Sequence, residues 1–278
     1  MSRIHSRPVF VSERITPEPG YFDIALLARG EPAVPKAFVW RNQRFDVART
    51  LGSKRTMGED RGDAYIRRHY YDVETTDALR MSLYFERNPS DRAKRKAWWL
   101  YTLTFPEPVI ETPRLLMRRW TFADRDAFRC MTQDPDVMRF IHENVPLSDR
   151  EADSALASTI ERYEQLGFGD WAIIERDSGA IIGESGLGML EGTDEIEIGW
   201  MLLPSHWRKG VAFEAADAVK EYAERTLRLL RLTALTQPDN VRSIVLAGRL
   251  GMRKTGRLIH RGHEMLKFEI LFSDASQA

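Results

Sequence analysis

The chain has 278 residues, of which 43% are hydrophobic and 29% are charged, and its 41 basic side chains balance its 41 acidic ones. This length suits two domains of modest size, and the balanced charge excludes a global attraction to nucleic acid or to a membrane. The single cysteine excludes an intramolecular disulfide and a cysteine metal cluster, so we expect a reducing cytoplasm.

The first part of the chain has the pattern of short antiparallel strands. Two extended runs flank Asn42 in KAFVWRNQRFDVARTL, an alternating segment turns near Asp77, and KAWWLYTLTF has the composition of an aromatic strand. These runs predict a small all-β barrel or curled sheet, with an exposed hairpin loop at residues 88–97. This part resembles a small β-rich domain of unknown function in bacterial proteins, and that resemblance implies no chemistry.

Cations and aromatic residues occur side by side in this domain, a combination that suits single-stranded nucleic acid through stacking and charge neutralisation. They are Arg67, Arg68, His69, Tyr70, Tyr71, Trp98 and Trp99. An aromatic barrel core with solvated arginines explains the same residues better.

A proline-rich segment ends the first domain. Pro106, Pro108 and Pro113 lie close together, and proline lacks an amide donor and restricts the residue before it. We therefore place the first domain at residues 1–106 and the second at residues 110–271. The sign of the charge also changes, from 19 basic and 14 acidic residues up to residue 110 to 22 and 27 beyond it.

The second domain opens with a predicted strand, RLLMRRW, and a short helix that begins near Asp124. Thr121 or Asp124 is expected to cap this helix, and Cys130 is expected to face the core. Ser148, followed three residues later by Glu151, is a capping box for the next helix, and Gly167 is suited to end it.

The remaining elements alternate strands with helices. Two strands meet at residues 177–179, EIEIGWMLL predicts a buried strand, and residues 212–226 have the spacing of an amphipathic helix. A further strand precedes a helix that Asp239 or Asn240 caps, and a hairpin turning at Arg261 and Gly262 follows. This order predicts an α/β fold, in which a mixed sheet carries helices on its faces.

The turn HWRKGVA joins that buried strand to the amphipathic helix. The first four amides of a helix have no intrahelical acceptor, and with the positive end of the helix dipole they suit an anion. Gly210 lets an oxyanion approach the backbone, and Arg208 and Lys209 add countercharge. The expected ligand is a phosphate or pyrophosphate, although such a turn taken alone is more often an ordinary helix start.

Three segments, in matching order and spacing, resemble the GNAT superfamily of acetyl-CoA-dependent N-acetyltransferases over residues 110–271. The similarity is greatest to the branch that contains the ribosomal-protein N-terminal acetyltransferases. IETPRLLMRRW resembles its opening strand, IEIGWMLLPSHWRKGVAFEA its fourth strand and pyrophosphate loop, and PDNVRSIVLAGRLGMRKTG its Asn-x-x-Ser helix. Two residues depart from the common pattern: Trp207 stands where many members have Gln or Arg, and Arg208 where a glycine is frequent.

This resemblance implies how acetyl-CoA is held. The pyrophosphate would bind loop amides, and the pantetheine arm and thioester carbonyl would meet a strand edge that splays from its neighbour. The implied loop residues are Arg208, Lys209, Gly210, Val211 and Ala212, and the implied edge residues are Met201, Leu202 and Leu203. Asn240 matches the family asparagine that contacts the pantetheine, and a helix cap explains Asn240 equally well. No metal is implied.

Acetyl transfer to an amine requires a held acyl donor, a deprotonated amine and a stabilised oxyanion. The resemblance implies Glu197 as the base. An exposed strand carboxylate explains Glu197 about as well, because Glu195 shares its face, and an amine that arrives neutral needs no base. Ser243 matches the position proposed to protonate the leaving thiolate, and a serine on an exposed helix turn explains it slightly better.

The function that the resemblance implies is acetyl-CoA-dependent acetylation of a primary amine, on a protein N-terminus or a small molecule, by direct attack. An alternative is a binding protein, in which a degenerate acetyltransferase fold senses acyl-CoA and the first domain binds nucleic acid or protein. The first domain is also suited to recruit the acetyl acceptor. No apolar run approaches the ~20 residues of a membrane span, so we expect no membrane partner. We also expect a monomer or a homodimer.

Overall fold

The computed structural model describes residues 8–24, 32–60, 63–86, 97–141 and 143–272. The chain divides into two compact units, Met1–Glu107 with Thr121–Ala123 and Pro108–Trp120 with Asp124–Ala278. The hairpin loop expected at residues 88–97 falls, apart from its last residue, outside the described residues.

The first unit consists of strands. They are β1 Val9–Pro17, β2 Phe22–Asp23, β3 Val34–Pro35, β4 Ala37–Trp40, β5 Gln43–Asp60, β6 Asp63–Thr75, β7 Arg80–Glu86 and β8 Trp98–Thr104. Six of them close into an antiparallel barrel in the order β1, β4, β5, β6, β7, β8, while β2 and β3 form a separate pair. The barrel closes because β1 pairs with both β8 and β4. The predicted all-β barrel is therefore confirmed.

Aromatic and aliphatic side chains fill the barrel interior. The rings of Phe38 and Phe45 stack with centroids 5.7 Å apart, and Tyr71 packs against Trp98 at 5.5 Å. Tyr71 and Trp98 are buried members of this core, and His69 is 2% exposed. Three of the residues considered for nucleic-acid stacking therefore lie inside the barrel wall, which favours the interpretation as an aromatic core.

The second unit interleaves strands with helices. Its strands are β9 Ile110–Glu111, β10 Leu115–Arg119, β11 Asp170–Glu175, β12 Ile181–Met189, β13 Ile196–Leu202, β14 Arg231–Thr236, β15 Arg253–His260 and β16 His263–Leu271. Its helices are α1 Arg125–Thr132, α2 Pro135–Met138, α3 Asp149–Leu166, α4 Val211–Arg225 and α5 Val241–Arg249. The strands form one sheet in the order β15, β16, β14, β13, β12, β11, β10, β9. This arrangement confirms the predicted mixed sheet with helices.

One strand pair of this sheet differs from the others. β13 and β14 are parallel, whereas every other neighbouring pair is antiparallel. Parallel neighbours need a crossover connection, and α4 provides it. α4 packs on the sheet through Ala215, Ala216, Val219 and Ala223, all fully buried. Their small side chains let the helix lie close to the sheet, which fixes the turn between β13 and α4.

Several local signals act as the sequence predicts. Ser148 and Glu151 form a complete capping box at the start of α3, and Gly167 ends that helix with φ of 76°. A two-residue turn at Arg261 and Gly262 joins β15 to β16, since His260 pairs with His263. Each signal is local, so it needs no distant partner to act.

The region around α1 corrects three expectations. Asp124 precedes α1 but makes no side-chain cap, because its carboxylate accepts hydrogen bonds from Arg118 at 2.7 and 2.8 Å. Cys130 is exposed rather than in the core. Helix α2, which Asp134 caps, is an additional element. Among the described residues, no helix is both long and apolar enough to cross a membrane.

Candidate active site

A gap opens between β13 and β14 toward the end of β13. The two strands pair at one position, Glu197 with Thr233. Beyond it, β13 continues to pair with β12 as far as Leu202, and β14 continues with β16 as far as Thr236. Each strand therefore follows its outer neighbour, and the gap between them has the splay that the resemblance implies.

The direction of the backbone amides decides which residues face the gap. The Leu203 amide donates to the carbonyl of Ile182 at 2.9 Å, and amides alternate in direction along a strand. The amides of Met201 and Leu203 therefore point toward β12, and the amides of Trp200 and Leu202 point toward the gap. Of the three residues predicted for this edge, only Leu202 has its amide toward the gap.

The turn that follows β13 presents a run of amides without internal partners. The amides of His206 and Trp207 donate to the carbonyls of Leu203 and Pro204, respectively. The amide of Glu214 donates to the carbonyl of Gly210. In the described part of the chain, the amides of residues 208–213 make no backbone hydrogen bond of normal geometry. Gly210 has φ of 76° and immediately precedes α4. The turn therefore retains the donors that an oxyanion would need.

The opening segment of the second unit holds this turn in place. Thr112 Oγ1 and the guanidinium of Arg114 each donate to Glu214 at 2.6 Å, and Arg114 Nη1 donates to the carbonyl of Lys209 at 3.0 Å. Burial would raise the pKa of Glu214, but these hydrogen bonds lower it below its usual range. The Thr-x-Arg-Leu segment thus holds both the Lys209 carbonyl in the turn and the first turn of α4 through hydrogen bonds.

Trp207 links the turn to β13. Its Nε1 donates to the carbonyl of Leu202 at 2.8 Å, and the guanidinium of Arg242 lies 4.3 Å from its ring centroid. Trp207, at the position where Gln or Arg is more frequent, therefore makes contacts that hold the turn against β13. A departure from the family pattern still leaves the loop amides accessible.

A cavity of about 610 Å³ joins the turn to the gap. Eight of the predicted site residues line it: Met201, Leu202, Arg208, Gly210, Val211, Ala212, Asn240 and Ser243. Leu203, Lys209 and Glu197 are not among its lining residues. The cavity is also lined by five residues that were not predicted as cofactor contacts: Phe140, Trp200, Trp207, Arg242 and Arg249.

Asn240, which precedes α5, and Ser243, in its first turn, both line the cavity. Asn240 Oδ1 accepts from the Ser243 amide at 3.2 Å, so Asn240 does cap α5. Within the described residues its side-chain NH2 group has no hydrogen-bond partner, which leaves it available to a ligand. Trp200 Nε1 donates to Ser243 Oγ at 3.2 Å. Because the serine oxygen accepts from the indole, its own proton is directed to another acceptor.

The two glutamates of β13 have different environments. Glu195 pairs with Lys267 at 2.8 Å, and this hydrogen bond lowers the pKa of Glu195. Burial raises the pKa of Glu197 to about 7, although the Leu235 amide donates to its Oε1 at 3.3 Å. Of these two glutamates, Glu197 is the one whose raised pKa suits a base at neutral pH.

Two carboxylates on the face of Glu197 were not among the residues predicted from the sequence. Glu184 and Asp170 lie on the same face of the sheet as Glu197, on strands β12 and β11. Burial raises the pKa of both, and the charge of Asp170 raises that of Glu184 further. Alternation along GESGLG would have placed Glu184 on a face with glycines. The alternation does not reveal which strands lie beside the one that carries Glu184.

The same face is open beside Glu197. Gly188 pairs with Glu197 across the two strands, and Gly199 lies two residues further along β13. A Cβ atom at either glycine would meet nothing within 4 Å. The surface beside Glu197 therefore has room for another molecule.

Known proteins resemble both parts of the chain. Residues 114–253 match the family model of an acetyltransferase (GNAT) domain, and residues 6–104 match a domain of unknown function, DUF6504. An uncharacterised N-acetyltransferase of Bacillus subtilis, YnaD, is 32% identical over 56% of this chain and 90% of its own length.

Two further similarities concern the second unit. The ribosomal-protein-uS5-alanine N-acetyltransferase of Escherichia coli is 27% identical over 56% of this chain and 84% of its own length. The solved structure of a GNAT-family acetyltransferase from Bacillus anthracis has a TM-score of 0.52 at 28% identity, covering 58% of this chain and 97% of that one.

Proposed function

This chain belongs to the GNAT acetyltransferase family and is an acyltransferase, and from that premise we propose that it acetylates a primary amine by direct attack on acetyl-CoA. The observation that carries the proposal is the cavity that connects unpaired loop amides to the gap between β13 and β14. A diphosphate fits the amides of residues 208–212, and an extended pantetheine arm fits a strand edge that lacks a neighbour.

The chain positions the reacting groups from two sides. Bound acetyl-CoA supplies an acetyl group activated as a thioester. The amides of Trp200 and Leu202 face the gap, and one of them donates to the thioester carbonyl as negative charge develops on its oxygen. The open surface over Gly188 and Gly199 admits the amine beside Glu197.

Protons move through Glu197 and Ser243. Glu197 accepts a proton from the attacking amine, directly or through a water, since its pKa of about 7 leaves much of it ionised at neutral pH. As the carbon–nitrogen bond forms and the carbon–sulfur bond breaks, the Ser243 hydroxyl donates its proton to the leaving thiolate. Solvent returns a proton to Ser243, and Glu197 releases its proton to solvent.

The acceptor class is tested by thiol release from acetyl-CoA with a panel of amines. The uS5-alanine acetyltransferase is similar over most of its length, which supports including peptides that begin with Ala or Ser beside small polyamines and aminoglycosides. We expect turnover with at least one amine and none in its absence. Binding of CoA without turnover on any amine would instead support a sensor of acyl-CoA.

A crystal soaked with CoA tests the cofactor site itself. We expect the diphosphate at the amides of residues 208–212 and the pantetheine in the gap. A turn that stays empty, with CoA bound elsewhere or not at all, would contradict the proposal. We also propose a cytoplasmic location, since one cysteine offers no disulfide framework.

A further inference from the structure

Helix α5 carries a row of side chains that the proposed function leaves unexplained. The loop amides account for the diphosphate of CoA, but CoA also carries an adenine and a 3′-phosphate on its ribose. Arg242 and Arg249 both line the cavity, and they are seven residues apart in α5. Two helical turns place them on one face, about 10 Å apart.

Both arginines lie over aromatic rings of neighbouring segments. The Arg242 guanidinium is 4.3 Å from the ring centroid of Trp207, before the loop, and that of Arg249 is 4.2 Å from Phe213, in the first turn of α4. Stacking orients a planar guanidinium and leaves its N–H edge available for an anion. In the described part of the chain, neither guanidinium pairs with a carboxylate, so both retain their charge for a ligand.

An apolar side chain lies between the two cations. Val245 follows Arg242 by three residues and precedes Arg249 by four, so all three occupy one face of α5. Val245 is 56% exposed and Val241, one turn earlier, is 64% exposed, and both line the cavity. Exposed valines beside a cavity are suited to contact a flat, apolar ring such as a purine.

The order along this face is cation, apolar residue, cation. In one half of CoA, the ribose carries the diphosphate, the adenine and the 3′-phosphate at three separate positions, so two anionic groups accompany one apolar ring. We propose that this face of α5 recognises the adenosine 3′-phosphate half of CoA, with Arg249 pairing with the 3′-phosphate and Arg242 lying on the diphosphate side. This inference rests on the proposed function and goes beyond it, since it makes the enzyme selective for CoA over dephospho-CoA.

Isothermal titration of the full chain with CoA and with dephospho-CoA tests the inference, because the two ligands differ only in the 3′-phosphate. A charge-assisted pair with a phosphate supports a preference for CoA of roughly tenfold. We expect Arg249→Gln to weaken CoA binding roughly tenfold and to leave dephospho-CoA binding unchanged. The preference should also fall as salt is raised.

Two variants serve as controls. Arg242→Gln should weaken both ligands by a similar factor and preserve the preference, since both carry the diphosphate. Arg225→Gln, at the far end of α4 with a side chain 73% exposed, should change neither affinity. Arg249→Lys keeps the charge and should retain part of the preference, which guards against a folding defect in the Gln variant.

The outcomes separate this inference from the function on which it rests. Equal binding of CoA and dephospho-CoA by the unaltered protein, or an Arg249→Gln variant that keeps the preference, would overturn the role of α5 and leave the acetyltransferase function standing. An Arg249→Gln variant that weakens both ligands equally would assign Arg249 to the diphosphate instead. Absence of binding to either ligand would count against the acetyltransferase function itself.

Discussion

The barrel of the first unit and the sheet of the second are both built mainly from antiparallel strands, but they treat their strand edges differently. In the barrel, β1 pairs on both sides and the wall closes. In the sheet, β13 and β14 part after a single pair and leave an edge inside the structure. An unpaired strand edge can pair with another extended chain. The difference therefore supports the proposed ligand site in the sheet and a packing role for the barrel interior.

Truncation of a barrel core residue should have the largest effect on stability. Leu83 in β7 is fully buried, and Leu83→Ala should destabilise the first unit by about 3–5 kcal/mol through the cavity it leaves. Urea unfolding followed by tryptophan fluorescence measures this loss. Leu51 in β5 is 44% exposed, and Leu51→Ala should cost under about 1 kcal/mol. Equal losses for the two leucines would contradict the packing of the closed wall.

At the open edge, removal of the proposed base should have the largest effect on rate. Glu197→Gln should lower kcat about 100-fold. In the unaltered enzyme, the rate should rise with pH through about 7, because Glu197 must lose its proton to act and burial has raised its pKa. The variant should lose this rise.

Glu195→Gln is the matched control for the base. Its carboxylate pairs with Lys267 and its pKa is lowered, so it is ionised throughout the neutral range and the pH profile should be unchanged. A profile that keeps its rise near pH 7 in Glu197→Gln would remove Glu197 from the mechanism.

A side chain at the loop glycine should weaken the cofactor site. Gly210 has φ of 76°, and a β-branched residue in that region costs about 1–3 kcal/mol. Gly210→Val should therefore weaken CoA binding by roughly tenfold, as measured by titration.

Gly167 gives the corresponding control, since it has the same φ of 76° at the end of α3. Gly167→Val should lower stability by a similar amount and leave CoA affinity unchanged. If both glycines affect affinity equally, general strain rather than loop geometry is the cause.

The smallest expected effect concerns Trp200. Trp200→Phe keeps an aromatic ring but removes the donor to Ser243 Oγ, and loss of one neutral hydrogen bond should lower kcat about 3-fold to 10-fold. In a Ser243→Ala background the same substitution should have no further effect, since Trp200 would act through Ser243. Independent, multiplicative losses in the double variant would argue against this link, and full activity in Ser243→Ala would exclude the serine as proton donor.

Much of the fold follows from local signals. Three of these signals act over only a few residues: the capping box at Ser148, the turn at Arg261 and Gly262, and the glycine turn before α4. They can therefore be recognised in the sequence without knowledge of distant contacts. The failures are equally specific. Asp124 has the residue type of a cap, but Arg118 from a neighbouring strand takes its carboxylate, and no local pattern records that competition.

The amino-acid sequence by itself indicated two parts, most of the order of the elements and the position of the turn proposed to bind an anion, because these depend on periodicity, proline and glycine. Only the tertiary structure decided that the amides of Trp200 and Leu202 face the gap, that Glu184 and Asp170 lie on the same face as Glu197, and that Arg242 and Arg249 border the same cavity as the loop. Strand register and helix packing set these relations, and they bring together residues far apart in the chain. Side-chain type alone carries no information about distance in space.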